Sequence, residues 1–200
     1  RGSVLPGTTD TERTLQLVFN VEDGTLVYGP DWPALEQLEG HVVIADHNVD
    51  IHVSSGQTLG LGFDATNATI RPNAQGRGSF LAITGRGHGT ASQAMAFLAQ
   101  APATRGIGAL IQNWEGFGNV NLGLGLGIPI DVPGSQPGVD VALQLQGNAL
   151  TIPEFDLQFD AISGDLHFNT QTGLQGDALQ ASLFGEPVTV TLSSAADAGR

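Results

Sequence analysis

Between positions 120 and 130 every second residue is apolar: Val120, Leu122, Leu124, Leu126, Ile128 and Ile130. Asn121, Gly123, Gly125, Gly127 and Pro129 stand between them. A period of two predicts a strand with one apolar face and one nearly bare face. The pattern recurs on both sides. Leu15, Leu17, Phe19 and Val21 alternate with mostly polar residues, and Asp23-Gly24 signals a turn into Leu26 and Tyr28. Strands are predicted over 42–45, 49–53, 59–63, 68–70 and 80–84. Further strands are predicted over 139–145, 150–152, 155–159, 166–168, 179–184 and 188–192. Many short strands separated by turn residues make a mostly β plan. Apolar faces repeated on that scale must be covered by a second layer, closed into a barrel, or filled with something apolar.

One interval follows a different period. Thr90 with Gln93 reads as a capping box, and Ala91, Ala94, Met95, Leu98 and Ala101 recur at helical spacing until Pro102. Ile107, Leu110, Ile111 and Trp114 continue at helical spacing as far as Gly116, although Gly106 and Gly108 weaken the pattern. A helical hairpin is therefore predicted between two sets of strands. Its amphipathic stripe predicts a plug over one end of the sheet, against a membrane-touching or gating role.

The two sets repeat one frame. Leu17, Phe19, Val21, Leu26, Leu35, Leu38, Gly40, Val42 and Ile44 correspond to Val141, Leu143, Leu145, Leu150, Phe159, Ile162, Gly164, Leu166 and Phe168, each pair 124 positions apart. The matched glycines are expected at the start of a strand after a tight turn, where positive φ or close packing is needed. Two copies of one β-module predict a sheet that adds strands in series. The boundaries read as a flexible end over 1–13, a first β-module over 14–89, a helical insertion over 90–116, a second β-module over 117–192, and a flexible end over 193–200.

Composition narrows the function. A formal net charge of -13, with seven arginines and no lysine, repels nucleic acid and anionic headgroups. No cysteine is present, which excludes disulfides, thiol nucleophiles and thiolate metal sites. The abrupt opening and the run of small polar residues at the end suggest a piece of a longer protein. His47 and His52, in the stretch DHNVDIH, have opposite parity and meet at a metal only across a turn at Asn48, so solvated hairpin residues are the plainer reading. The stretch 85–90, GRGHGT, leads into a helix N-terminus but lacks any nucleotide fingerprint. Glu22 with Asp23, and Asp131 with Asp140, carry no evidence of the spacing that glycoside hydrolysis needs. Ser54, Ser55, Ser193 and Ser194 lie in no nucleophile elbow. No catalytic residue, metal ligand or cofactor is assigned.

The segments DWPALEQLEG (31–40), AMAFLAQAP (94–102), NLGLGLGIPI (121–130) and SLFGEPV (182–188) resemble the AsmA-like family of bacterial envelope proteins. The resemblance runs in order over about residues 14–192 and departs from the family pattern at Ala101-Pro102-Ala103. It implies an elongated, twisted antiparallel β-groove, a taco-like repeat sheet with an inserted short helical hairpin. It also implies a periplasmic segment of a protein held in the inner membrane by an anchor outside this stretch. The implied activity is movement of phospholipid between the inner and outer membranes, with outer-membrane or periplasmic envelope proteins as partners. On this reading acyl chains lie along Leu122, Leu124, Leu126, Val141, Leu143, Leu145, Phe155, Leu157, Phe159, Leu166 and Phe168. Asn121, Gln144, Gln146, Asp156 and Gln158 face solvent. A buried methylene contributes about 0.8 kcal/mol, so an apolar trough holds one chain by an amount on the order of 10 kcal/mol. The alternatives are a closed structural or adhesive β-repeat domain, and a small-ligand or carbohydrate-binding domain in which Tyr28, Trp32 and Trp114 cluster.

Overall fold

Eleven antiparallel strands join into one sheet in the computed structural model, which describes residues 16–28, 31–74 and 76–194. The first five strands are β1 (Gln16–Leu26), β2 (Leu35–Ala45), β3 (Asn48–Thr58), β4 (Leu61–Pro72) and β5 (Ser79–Thr90). Helices α1 (Ala91–Gln100) and α2 (Arg105–Ile111) follow, joined through a 3-10 turn at Pro102–Thr104. Then come β6 (Glu115–Phe117), β7 (Asn119–Ile130) and β8 (Gly138–Ile152), and a 3-10 turn at Pro153–Phe155. The last strands are β9 (Leu157–Asn169), β10 (Gly173–Leu183) and β11 (Glu186–Ser193). The pairing runs β1-β2-β3-β4-β5-β7-β8-β9-β10-β11, with β6 added beside β8. The path has two ends and is an open sheet, neither a barrel nor a pair of stacked sheets. The architecture is the mostly β, groove-like sheet with a helical hairpin that the sequence predicts.

The internal repeat is present in the pairing itself. Leu17 faces Ile44, Val21 faces Gly40, Gly24 faces Leu38 and Leu26 faces Leu35 across β1 and β2. Across β8 and β9, Val141 faces Phe168, Leu145 faces Gly164, Asn148 faces Ile162 and Leu150 faces Phe159, each partner displaced by 124. The loop between β9 and β10 is one residue longer than that between β2 and β3. Leu59-Gly60 and Phe184-Gly185, the next turns, are accordingly 125 apart. Both turns place a large apolar residue at positive φ before glycine, 51° at Leu59 and 53° at Phe184.

The two-residue gap in the frame, Leu35 to Leu38 and Phe159 to Ile162, marks a bulge. Gln37 and Ala161, again 124 apart, each have φ of 52° inside a strand where the register shifts. Asp23 and Gly147 form the matching pair in β1 and β8, at 50° and 73°. Ala65 in β4 and Ala178 in β10 carry the same conformation. An extra residue on one strand bends it and increases its twist, and here it also restores parity so that apolar residues on either side share one face.

Several expectations change at these points. Gly40 and Gly164 lie within β2 and β9, three residues beyond Gln37 and Ala161 rather than at a strand start. Gly164 has φ of 135°, whereas Gly40 is glycine because its neighbour strand is close: a Cβ there falls 2.1 Å from the His52 carbonyl oxygen. The strand predicted over 80–84 runs on through the glycine-rich 85–89 to the end of β5. Leu59 is in a turn, and β4 begins at Leu61. Ser193 ends β11 and Ser194 continues the ladder, its N–H donating to the Leu174 carbonyl at 2.8 Å. The expectations for Leu15, for 1–13 and for 195–200 lie outside the described residues.

Candidate functional site

Apolar residues line up across strands as well as along them. Leu17, Ile44, Val49, Ile70, Leu81 and Ile128 are successive register partners from β1 to β7. The next row runs Phe19, Val42, Ile51, Ala68, Ile83, Leu126 and Val139. Two further rows on the same face begin at β7 beside Gly85 and Gly87: Leu124, Val141, Phe168 and Leu174, and Leu122, Leu143 and Leu166. The opposite face is polar at the same depth: Asn20, His41, His52, Asn67, Thr84, Gly125, Asp140 and Asn169 are successive partners. The sheet therefore has one apolar side that is continuous over the path of strands, as alternation at constant register requires.

Ten of the eleven residues singled out from the sequence fall on β7, β8 and β9. Leu126, Val141, Leu145 and Phe168 are buried, while Leu122, Leu124, Leu143, Leu157, Phe159 and Leu166 are half-buried. All but Leu157 belong to two adjoining apolar clusters. Phe155 is not part of this face: it ends the 3-10 turn after Pro153 and is 72% exposed. The strand predicted over 155–159 begins only at Leu157, because Asp156 takes a left-handed conformation at φ of 52°. Asn121, Gln144, Gln146, Asp156 and Gln158 are exposed, as their parity predicts.

The apolar face is not empty. The helical hairpin lies on it, with Ile107 and Ile111 of α2 buried against Leu126, Val139, Val141 and Phe168. Ala94 of α1 is buried with Leu61, Val120, Leu145 and Ile162. The hairpin thus covers the middle of the face rather than one end of the sheet. The capping box predicted for α1 forms: the Gln93 N–H donates to Thr90 Oγ1 at 3.2 Å, and the Thr90 N–H donates to Gln93 Oε1 at 2.8 Å. The second helix ends at Ile111, four residues short of Glu115, where the chain returns to the sheet; Gly116 is in β6.

Two apolar cavities flank the hairpin. One of about 140 Å³ lies between Met95, Leu98, Ile107 and Trp114 on the hairpin side and Leu143, Leu150, Leu166 and Leu192 on the sheet. The other, about 70 Å³, lies between Phe97 and the Tyr28, Leu35, Phe63, Ile83 and Leu124 side of the sheet. Both are partly open, and the larger is of a size that admits a benzene-sized group. Phe97 faces the cavity on the β1–β5 side, and Ile107 packs on the β7–β9 side. Sequence patterning missed Ile83, Ile162 and Leu174 as partners on this face, although their alternation was visible.

The remaining polar groups pair locally on the opposite side. His167 Nε2 lies 3.1 Å from both Asp140 carboxylate oxygens, and Asn169 Nδ2 donates to Asp140 at 2.8 Å. The Asn169 bond, then the His167 bond, hold the Asp140 carboxyl below its usual range. His88 pairs with Asp64 at 3.2 Å and Arg71 with Asp50. His52 stacks on His41, with ring centroids 4.7 Å apart, and bonds to Asn67. His47 is in the turn between β2 and β3, away from that pair. No three metal-ligating side chains converge among the described residues. Tyr28 and Trp32 have ring centroids 5.5 Å apart, and burial pushes the Tyr28 hydroxyl up to about 12. Trp114 packs elsewhere, against the apolar face, so the three aromatics that the small-ligand alternative needs do not cluster. Among the described residues no helix is long and apolar enough to cross a membrane.

A protein-family model described as YhdP protein matches residues 6–200. The chain therefore belongs to the YhdP family. No curated protein and no solved structure matches it.

Proposed function

We propose that this member of the YhdP family is a periplasmic segment of a lipid conduit, in which phospholipid acyl chains travel along the apolar face while headgroups stay wet at its opening. The observation that carries the reading is the set of apolar rows kept in register from β1 across β7 to β10. A sheet that needed only a local core would not require its bulges to keep these apolar rows on one side. On this reading Leu122, Leu124, Leu126, Val141, Leu143, Leu145, Leu157, Phe159, Leu166 and Phe168 meet lipid, and Phe155 does not. Burial at about 25 cal/mol per Å² of apolar surface supplies the holding energy without chemistry, and no catalytic group is required. The net charge of -13 keeps anionic headgroups from lodging on the outer surface. The protein is held to the inner membrane by an anchor outside this stretch and works with phospholipid rather than nucleic acid.

A photo-crosslinking amino acid at Leu124, with Asn121 as the opposite-face control, tests this in the protein as the cell makes it. Phospholipid attached at position 124 and absent at 121 is expected. Equal labelling at both positions, or none at either, removes the conduit reading and leaves a structural β-domain.

A further inference from the structure

The hairpin occupies the surface that the proposed conduit needs. That conflict locates a site. The chain leaves β5 at Thr90 and, after the helices and the short β6, enters β7 at Asn119, and these two residues are direct register partners at the end of the β5–β7 ladder. The ladder between β5 and β7 is complete without the helices, and β6, between α2 and Asn119, pairs with β8. Between those partners the hairpin settles most of its own polar groups. Thr104 Oγ1 donates to the carbonyls of Leu98 at 2.7 Å and Ala101 at 3.0 Å, and the Ala101 N–H donates to the Phe97 carbonyl at 2.9 Å. Gly108 lets the helices touch, since a Cβ there falls 2.8 Å from Ala99 Cα.

Its attachments to the sheet are of two kinds. The hydrogen bonds lie at its base: the Ala91 N–H donates to the Gly118 carbonyl at 2.9 Å, and Asn148 Nδ2 donates to the Phe117 and Asn119 carbonyls. Asn113 Nδ2 also donates to Glu154. Elsewhere the contact is apolar, through Ala94, Phe97, Ile107 and Ile111. Lifting the helices exposes apolar surface on both sides, but it leaves those polar bonds at the base and within the hairpin in place. Acyl chains are the one ligand class that replaces such a contact in kind, because methylenes demand burial and no hydrogen bond.

We propose that the seat of the α1–α2 hairpin is itself an acyl-chain site, kept shut by the hairpin and occupied when lipid takes its place. This rests on the conduit reading above and adds that transit through the middle of the face requires the hairpin to leave. Leu143, which lines the larger cavity beneath the helices, is the position that reports the exchange.

The chain has no cysteine, so an introduced pair is unambiguous. Ile107→Cys with Val141→Cys joins two members of one buried cluster across the hairpin and the sheet. The probe is a photo-crosslinking residue at position 143 in the whole protein in cells. The oxidised pair is expected to lose phospholipid label at 143, and reduction is expected to restore it in the same molecules. A second variant replaces residues 92–113, the helices alone, with a flexible Gly-Ser linker and keeps β6 on β8, and is expected to gain label over the unaltered protein. Undiminished label in the oxidised pair, or no gain on excision while position 124 still labels, overturns the proposal and leaves the conduit standing. Absence of label at 124 and 143 in every form overturns both.

Discussion

Replacing Gly40 with alanine tests whether close strand contact, rather than a turn, explains this glycine. The added Cβ falls 2.1 Å from the His52 carbonyl oxygen and 3.0 Å from Val53 Cα, both backbone atoms of β3. A carbon and a carbonyl oxygen ordinarily approach to about 3.3 Å, so β3 must retreat by roughly 1 Å. That lengthens the adjacent ladder bonds beyond useful range, and each lost bond costs about 1 kcal/mol. Overpacking adds about 1–3 kcal/mol, offset by about 0.4–1 kcal/mol from the stiffer unfolded chain. The net expectation is a loss of about 2–3 kcal/mol. Urea unfolding followed by circular dichroism is the assay, and the midpoint should fall with an unchanged slope. Gly123→Ala is the control, because no atom lies within 4 Å of its Cβ; it should be neutral or slightly stabilising. Gly164→Ala should also destabilise, but through its φ of 135° and the Leu179 side chain at 2.8 Å instead of backbone collision. A Gly40→Ala protein within about 0.5 kcal/mol of the parent, no more than an ordinary surface change, would refute the contact argument.

Two further outcomes follow from local chemistry. Thr90→Ala removes the hydroxyl that caps α1 and should cost about 1 kcal/mol, read as a lowered urea midpoint, while Thr90→Ser should keep most of it. Tyr28 is the only tyrosine, so phenolate absorbance titrates that group alone. Its midpoint should lie near 12 in the folded protein against 10 when unfolded; because the raised group holds its proton in the fold, stability should fall as pH rises from 10 towards 12. A folded midpoint at the unfolded value would remove the burial argument.

How much the sequence disclosed depended on whether a residue's role followed from its immediate neighbours. Alternation alone placed Leu122, Leu124, Leu126, Val141, Leu143 and Leu145 on one face, since parity needs no tertiary knowledge. The 124-residue frame was legible too, including the gap at 35–38 and 159–162, but the reason for the gap was not. Nothing in Gln37 or Ala161 announces a left-handed residue, whose cost is met by the neighbouring strands. Phe155 was misplaced because apolar alternation outweighed Pro153, which starts the short turn. Leu59 and Phe184 were hidden for the same reason: bulky residues are poor turn signals even before glycine. The strand predicted over 80–84 stops short of 85–89 because glycine has no side chain to show a period, although its backbone pairs along β5 and β7. The hairpin's existence came from its spacing and capping box. Its seat on the middle of the apolar face did not, because an amphipathic stripe says that a helix is covered and not by what.

The bulges at Asp23, Gln37 and Ala65 in one half, and at Gly147, Ala161 and Ala178 in the other, have a mechanical consequence. They set the bend of the sheet through main-chain dihedrals and strand pairing. The curvature is thus cast into the backbone like the profile of a gutter, instead of being imposed by whatever lies in it. A vessel made this way keeps its form when its contents change, so on the proposed reading helices and hydrocarbon succeed one another against the same wall without the wall being rebuilt for each.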